Sequence, residues 1–199
     1  HVWNHSLFKS LLFLGAGSVL HAAGTRELDR LGGLARRMPA TAALFLLGSV
    51  AISGLPPLNG FVSELAIYLG LTRAALGAGA LWVALAAPVL AATGALAVAC
   101  FVKVYGIVFL GAARSPAAAA AHESPRRMLV PMAVLGGACA AIGVAPGLFA
   151  PAVDRAIAAW AGGVPGGARW AAFVPLAWIP IAAGALLLLV GLLAIVLVP

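Results

Sequence analysis

An all-α membrane helix bundle is the fold class this sequence predicts, and three observations predict it. Hydrophobic residues make up 64% of the 199 and charged ones only 9%, against about a quarter charged in ordinary soluble domains. Apolar runs of roughly 20 residues, the length that crosses a hydrocarbon core of about 30 Å, recur from end to end. No stretch alternates apolar and polar residues with a period of two, as membrane barrel strands do. Only helices or closed barrels satisfy their backbone in lipid, so the expectation is a polytopic bundle of helices.

Five crossings follow in order. The first, residues 1–21, reads "HVWNHSLFKSLLFLGAGSVLH"; it starts at His1 inside an apolar run, so the chain reads as a fragment of a longer polypeptide. A polar link follows at residues 22–39, then a second crossing at 40–72. The third crossing covers residues 81–110, with Trp82 and Tyr105 near its ends as interface anchors. A second link, 112–127, holds the Ala-rich "SPAAAAAHESP". The fourth crossing covers 128–149 and the fifth 173–198, and between them residues 150–170 read as an interfacial segment with Trp160 and Trp170 at headgroup level.

The second crossing needs its own argument, because it contains "SGLPPLNGFVSE" at residues 53–64. As one straight helix, residues 40–72 would be about 50 Å long, too long for one crossing. As two crossings of about 15 residues each, both would be too short. One crossing broken in its middle fits, with Pro56, Pro57, Asn59 and Gly60 as the hinge. Arginines do not decide between the two readings: with one crossing 26, 30, 36, 37, 114, 126 and 127 share a side against 73, 155 and 169, and with two crossings the division is again seven to three. With the break, both links are cytoplasmic.

The net charge of +7 resembles a nucleic-acid footprint, but the arginines sit in short links between apolar runs. That is the pattern of anchoring by basic loops, so no nucleic-acid partner is expected. Cys100 and Cys139 lie deep in apolar runs, which argues against a disulfide. "HVWNH" has the histidine spacing of a zinc helix, yet Val2 stands where such a helix carries its catalytic Glu, and no metal site is expected.

Of the twelve basic side chains only Lys9 and Lys103 are lysines, and both fall inside predicted crossings. Arg stays charged at any accessible pH, whereas a buried Lys can lose its proton. This partition suits proton exchange within the membrane. His1, His5 and Lys9 stand at i, i+4 and i+8, each about 40° further round a helix, and so form one stripe of titratable groups. Glu64 lies one turn beyond Gly60 on the second half of the broken helix, where free backbone groups create a polar site. Asn59 can cap that half-helix and Ser63 adds a hydroxyl. Lys103, about 10 Å from a helix end, reads equally as a side chain snorkelling to the interface. Glu27, Asp29 and Glu123, beside arginines in the links, read as solvated surface charge, and His21 and His122 likewise.

Four stretches, "NHSLFKSLLFLGAGSVLH", "LDRLGGLARRMP", "GLPPLNGFVSE" and "FVKVYGIVFLG", in this order and spacing resemble the proton-pumping antiporter-like family. Its members are large membrane subunits of respiratory complex I, of Mrp-type antiporters and of energy-converting hydrogenases such as hydrogenase-4 and formate hydrogenlyase. "GLPPLNGFVSE" with its Glu, "FVKVYGIVFLG" and the extra helix after residue 172 look closest to the hydrogenase-4 or formate-hydrogenlyase branch. The resemblance implies a bundle with two inverted five-helix repeats, of which residues 1–150 hold the later part of the second and residues 151–199 add an interfacial segment and a C-terminal helix. It implies a proton path through His1, His5, Lys9 and Glu64, with Lys103 where some members carry Arg. It further implies a multi-pass subunit in a prokaryotic plasma membrane, partnered by other membrane and redox subunits and linked to a quinone or hydrogenase module only indirectly. No cofactor is expected in this chain, since electron transfer would occur in the partners. A sodium/proton antiporter subunit and a purely structural membrane subunit are the alternatives.

Overall fold

A computed structural model describes residues 1–78, 83, 85–160 and 170–197. The described residues are helical throughout: α1 (Val2–Ala23), α2 (Pro39–Ile52), α3 (Asn59–Ala78), α4 (Ala86–Phe109), α5 (Pro116–Ala120), α6 (Arg126–Val144), α7 (Pro146–Trp160), α8 (Trp170–Phe173) and α9 (Trp178–Leu197), with short 3-10 turns at Leu28–Arg30 and Leu34–Arg36. Among them α1, α4 and α6 are long and apolar enough to cross a membrane singly. In place of one long helix, α2 (14 residues) and α3 (20 residues) are separate, with residues 53–58 non-helical between them, and α3 runs on to Ala78, past the expected end at residue 72. The fold is thus an all-α membrane bundle with an interrupted helix, as composition and length arithmetic require.

The chain forms two compact units. The link unit comprises Val2–Ser53 and Ala91–Cys139. Its core joins Leu12, Val19 and Phe45 to Val108 and Phe109, and it draws Leu31 and Leu34 from the first polar link. Phe45 and Phe109 meet with ring centroids 5.2 Å apart, and Tyr105 stands 5.0 Å from Phe109. The two links are pinned to the end of α4: Gly33 N donates to the Leu110 carbonyl at 2.9 Å, Ser115 Oγ to the Arg30 carbonyl at 2.7 Å, and Arg114 to the carbonyls of Leu28 and Ile107. The expected open linker at residues 115–125 therefore contains a short helix, α5. Ser115 caps it by accepting from the Ala118 amide at 3.1 Å, and Pro116 sits at the first helical position.

Glu123 departs from its reading as solvated charge. Its carboxylate accepts from Ala40 N at 2.7 Å, Thr41 N at 3.4 Å and Thr41 Oγ1 at 2.6 Å, and from Ser124 N at 3.0 Å. The reason lies in the start of α2, where Met38 occupies the cap position and has no oxygen to offer. A carboxylate far along the chain supplies the missing cap, and its charge suits the positive end of a helix.

The break unit comprises His1, Gly54–Leu90 and Ala140–Pro199. Its core groups Val62 of α3 with Ala150 of α7 and with Val174, Leu176 and Ile179 near the start of α9, and Trp170 packs against it. The fourth crossing ends at Val144 rather than at residue 149, because Pro146 has no N–H to continue the helix and opens α7 instead. Along α7, Trp160 is 90% exposed, and Trp170 packs against the core, its amide donating to Asp154 Oδ1 at 2.6 Å. The last helix starts at Trp178 because Pro175 interrupts the run after Phe173. Trp82, expected as an anchor of the third crossing, lies outside the described residues.

Candidate functional site

The interruption between α2 and α3 brings the polar groups of the break unit together. Helix α2 ends at Ile52; Gly54 follows with φ +63°, a conformation that L side chains rarely adopt, and Pro56–Pro57 is a cis peptide. Asn59 and Gly60 are the first two residues of α3, and Asn59 is fully buried. Two different obstacles end and restart the helix here, a left-handed glycine and a pair of residues without N–H donors.

One turn into α3, Ser63 is buried and its hydroxyl lies 3.0 Å from the Gly60 carbonyl and 3.3 Å from that of Asn59. His1 Nδ1 lies 3.0 Å from the same Ser63 oxygen. A hydroxyl has one proton to give, so when Ser63 donates to a carbonyl, an N–H on His1 Nδ1 donates to Ser63. The histidine and the hydroxyl are thus hydrogen-bonded to the backbone of the break, and Glu64 is the next residue along α3.

Glu64 is half-buried and its carboxylate rests on the bare backbone of Gly54. A Cβ built on Gly54 would stand 2.8 Å from Glu64 Cδ and 3.1 Å from Oε1, with Oε2 closer still. Across the break, α6 presents Gly143, where a Cβ would stand 2.6 Å from Leu58 Cα and closer to the Pro57 carbonyl. Helix α6 therefore touches the backbone of residues 57–58 directly. Among the described residues, no hydrogen-bond donor reaches the Glu64 carboxylate. An acid held by shape rather than by hydrogen bonds can take up and release a proton without dismantling a network.

The other predicted residues belong to the link unit. On α1, His5 is half-buried with its ring edge-on to Phe8 at 5.1 Å, and Lys9 is exposed with Nζ 5.7 Å from the Phe13 ring centroid. Within α1 the two keep the i, i+4 spacing and share a face. Lys103 is exposed on α4. Among the described residues, no three His, Cys, Asp or Glu side chains gather as a metal site would require. Gly54 and Gly143 went unmarked in the sequence reading. The signal for Gly54 was its place just after a helix and before two prolines, whereas nothing local marks Gly143.

Residues 1–108 match the family described as NADH:quinone oxidoreductase/Mrp antiporter, transmembrane. Hydrogenase-4 component B of Escherichia coli K12 is 47% identical over 156 residues, 77% of this chain and 23% of that protein. Formate hydrogenlyase subunit 3 of the same organism is 44% identical over 161 residues, 79% of this chain and 26% of that protein. This chain thus spans about a quarter of the length of these relatives. Among solved structures, the Mrp complex from Dietzia sp. DQ12-45-1b shares the fold, with a TM-score of 0.59 at 24% identity over 73% of this chain and 34% of that one. The family match covers more than half of the chain, and the chain belongs to the NADH:quinone oxidoreductase/Mrp antiporter transmembrane family.

Proposed function

We propose that this chain is part of a proton-translocating membrane subunit of a redox-driven complex, of the NADH:quinone oxidoreductase or energy-converting hydrogenase type. The observation that carries the reading is the Glu64 carboxylate lodged against Gly54 in a helix break that also holds the Ser63–His1 hydrogen bond. Intramembrane acids and bases are costly to keep, and they mark ion pathways. In this reading the basic groups of the first helix, His1, His5 and Lys9, relay protons with water, and Glu64 releases them to the far side. Lys103 tunes the field or extends the path. Residues 1–150 form the translocating part, and residues 151–199 are an interfacial segment and an added helix. The redox centres belong to partner subunits, with a quinone or hydrogenase module coupled at a distance, and the membrane is the plasma membrane of a prokaryote. The 47% identity to a hydrogenase-4 component supports this type of parent complex.

The test is proton pumping by the intact complex in sealed vesicles after Glu64→Gln or Lys9→Ala. Pumping is expected to fall to background while the complex assembles normally; wild-type pumping in either variant would overturn the assignment. The likeness to an Mrp complex favours a second reading, a sodium/proton antiporter subunit. Sodium-dependent proton exchange in membranes lacking the electron-transfer partners would select it.

A further inference from the structure

We infer that Gly54 is a positioning residue for the Glu64 carboxylate, its absent side chain being the seat in which that carboxylate rests. The inference builds on the reading of Glu64 as a proton-exchanging group. Three observations carry it, two within the break unit and one a comparison with a glycine of the link unit.

First, the space is occupied. A Cβ on Gly54 would lie 2.8 Å from Glu64 Cδ, nearer than carbon atoms approach without repulsion, and nearer still to Oε2. Second, the carboxylate is the part that gives way. The three atoms nearest to a Cβ on Gly54 are all at the far end of the flexible Glu64 side chain, so an atom added there is relieved by moving that side chain. Third, backbone conformation alone does not account for the arrangement. Gly24 has nearly the same φ, +66°, yet nothing lies within 4 Å of where its Cβ would be. At Gly24 the left-handed backbone is the whole reason for a glycine; at Gly54 a carboxylate also fills the vacant space.

What the seat contributes is orientation. The Glu64 side chain has three rotatable bonds and could sample several directions from α3. Docked on Gly54, the carboxylate is fixed at the break, one residue along the chain from the Ser63 hydroxyl and its His1 partner. A proton transfer group displaced by about 1 Å loses about a hundredfold in rate. Gly54 thus sets where the proton is handed over without touching the proton itself.

The experiment uses the intact complex in sealed vesicles and reads proton transport per assembled complex. Gly54→Ala is expected to lower transport by about tenfold or more, a misplacement loss. Gly24→Ala, which carries the same backbone strain with no carboxylate to displace, is expected to stay within about twofold of wild type. Glu64→Asp shortens the acid by one methylene, so the double variant Gly54→Ala/Glu64→Asp is expected to transport faster than Gly54→Ala alone. Gly54→Asn repeats the test if the alanine variant fails to assemble, since Asn tolerates a left-handed backbone and brings the same Cβ. Equal losses at Gly54 and Gly24, or a double variant no faster than Gly54→Ala, would overturn the inference by assigning the effect to backbone strain. Wild-type transport in Gly54→Ala beside an inactive Glu64→Gln would overturn the inference while leaving the role of Glu64 standing. Wild-type transport in Glu64→Gln would overturn that role, and the seat with it.

Discussion

Glu64 and Glu123 are both half-buried acids set at a gap in the helices, yet they are held in opposite ways. Glu123, in the link unit, accepts from three amides and one hydroxyl and closes the start of α2. Glu64, in the break unit, is held by shape against the bare backbone of Gly54, and among the described residues no donor reaches it. A carboxylate that accepts four hydrogen bonds is tied to one geometry, and losing its charge would leave helix amides unpaired. A carboxylate held by contact alone can change protonation without such a cost. The contrast separates an acid spent on architecture from an acid available for transport.

That contrast is open to direct attack. The largest effect is expected from the amide exchange at each position: Glu64→Gln removes the exchangeable proton and should cut transport by about tenfold or more. Glu123→Gln should leave transport per assembled complex near wild type. Comparable transport losses at both sites would erase the distinction. Next, Gly143→Ala forces a methyl into the backbone of residues 57–58 and should cost about 1–3 kcal/mol, as overpacking does. It should lower the melting temperature of the purified complex, followed by tryptophan fluorescence; an unchanged melting temperature would mean that α6 does not brace the break. Glu123→Ala should cost about 1–2 kcal/mol, the loss of a helix cap, with hydrogen exchange rising first at the amides of Ala40 and Thr41. Protection that stays at wild-type level there would show the cap to be dispensable. The smallest effect is expected at Glu27, which makes an exposed ion pair with Arg30 at 3.6 Å. Glu27→Gln should change stability by less than about 0.5 kcal/mol, and that change should vanish at high salt.

Much of the fold was legible because the membrane leaves few options. Apolar length and the proline pair placed the interruption before any coordinates, since a straight helix of residues 40–72 is too long and two separate crossings too short. The stripe of His1, His5 and Lys9 is read from helical geometry alone, and α1 holds His5 and Lys9 of it. The boundary near residue 146 was missed because the apolar run continues past Pro146, and hydropathy does not register a missing N–H. Leu31 and Leu34 were taken for parts of a polar link, yet they are buried, because the link folds back over the end of α4. Glu123 was misjudged for the same reason. Its partners are more than eighty positions away, and no local pattern reports such a distance.

On the candidate site, local sequence was enough to mark Glu64, Ser63, Asn59 and the proline pair, since each is a polar or helix-breaking residue inside an apolar run. It was not enough to reveal what holds the acid. Gly54 and Gly143 matter through what they lack, and a missing side chain becomes visible only when its neighbours crowd the space. Composition and periodicity by themselves determined that this chain is a membrane bundle with one interrupted helix, because lipid penalises every alternative backbone. Only the tertiary structure decided which carboxylate caps a helix and which rests in a glycine seat, because that choice depends on which distant atoms arrive within about 3 Å of each oxygen.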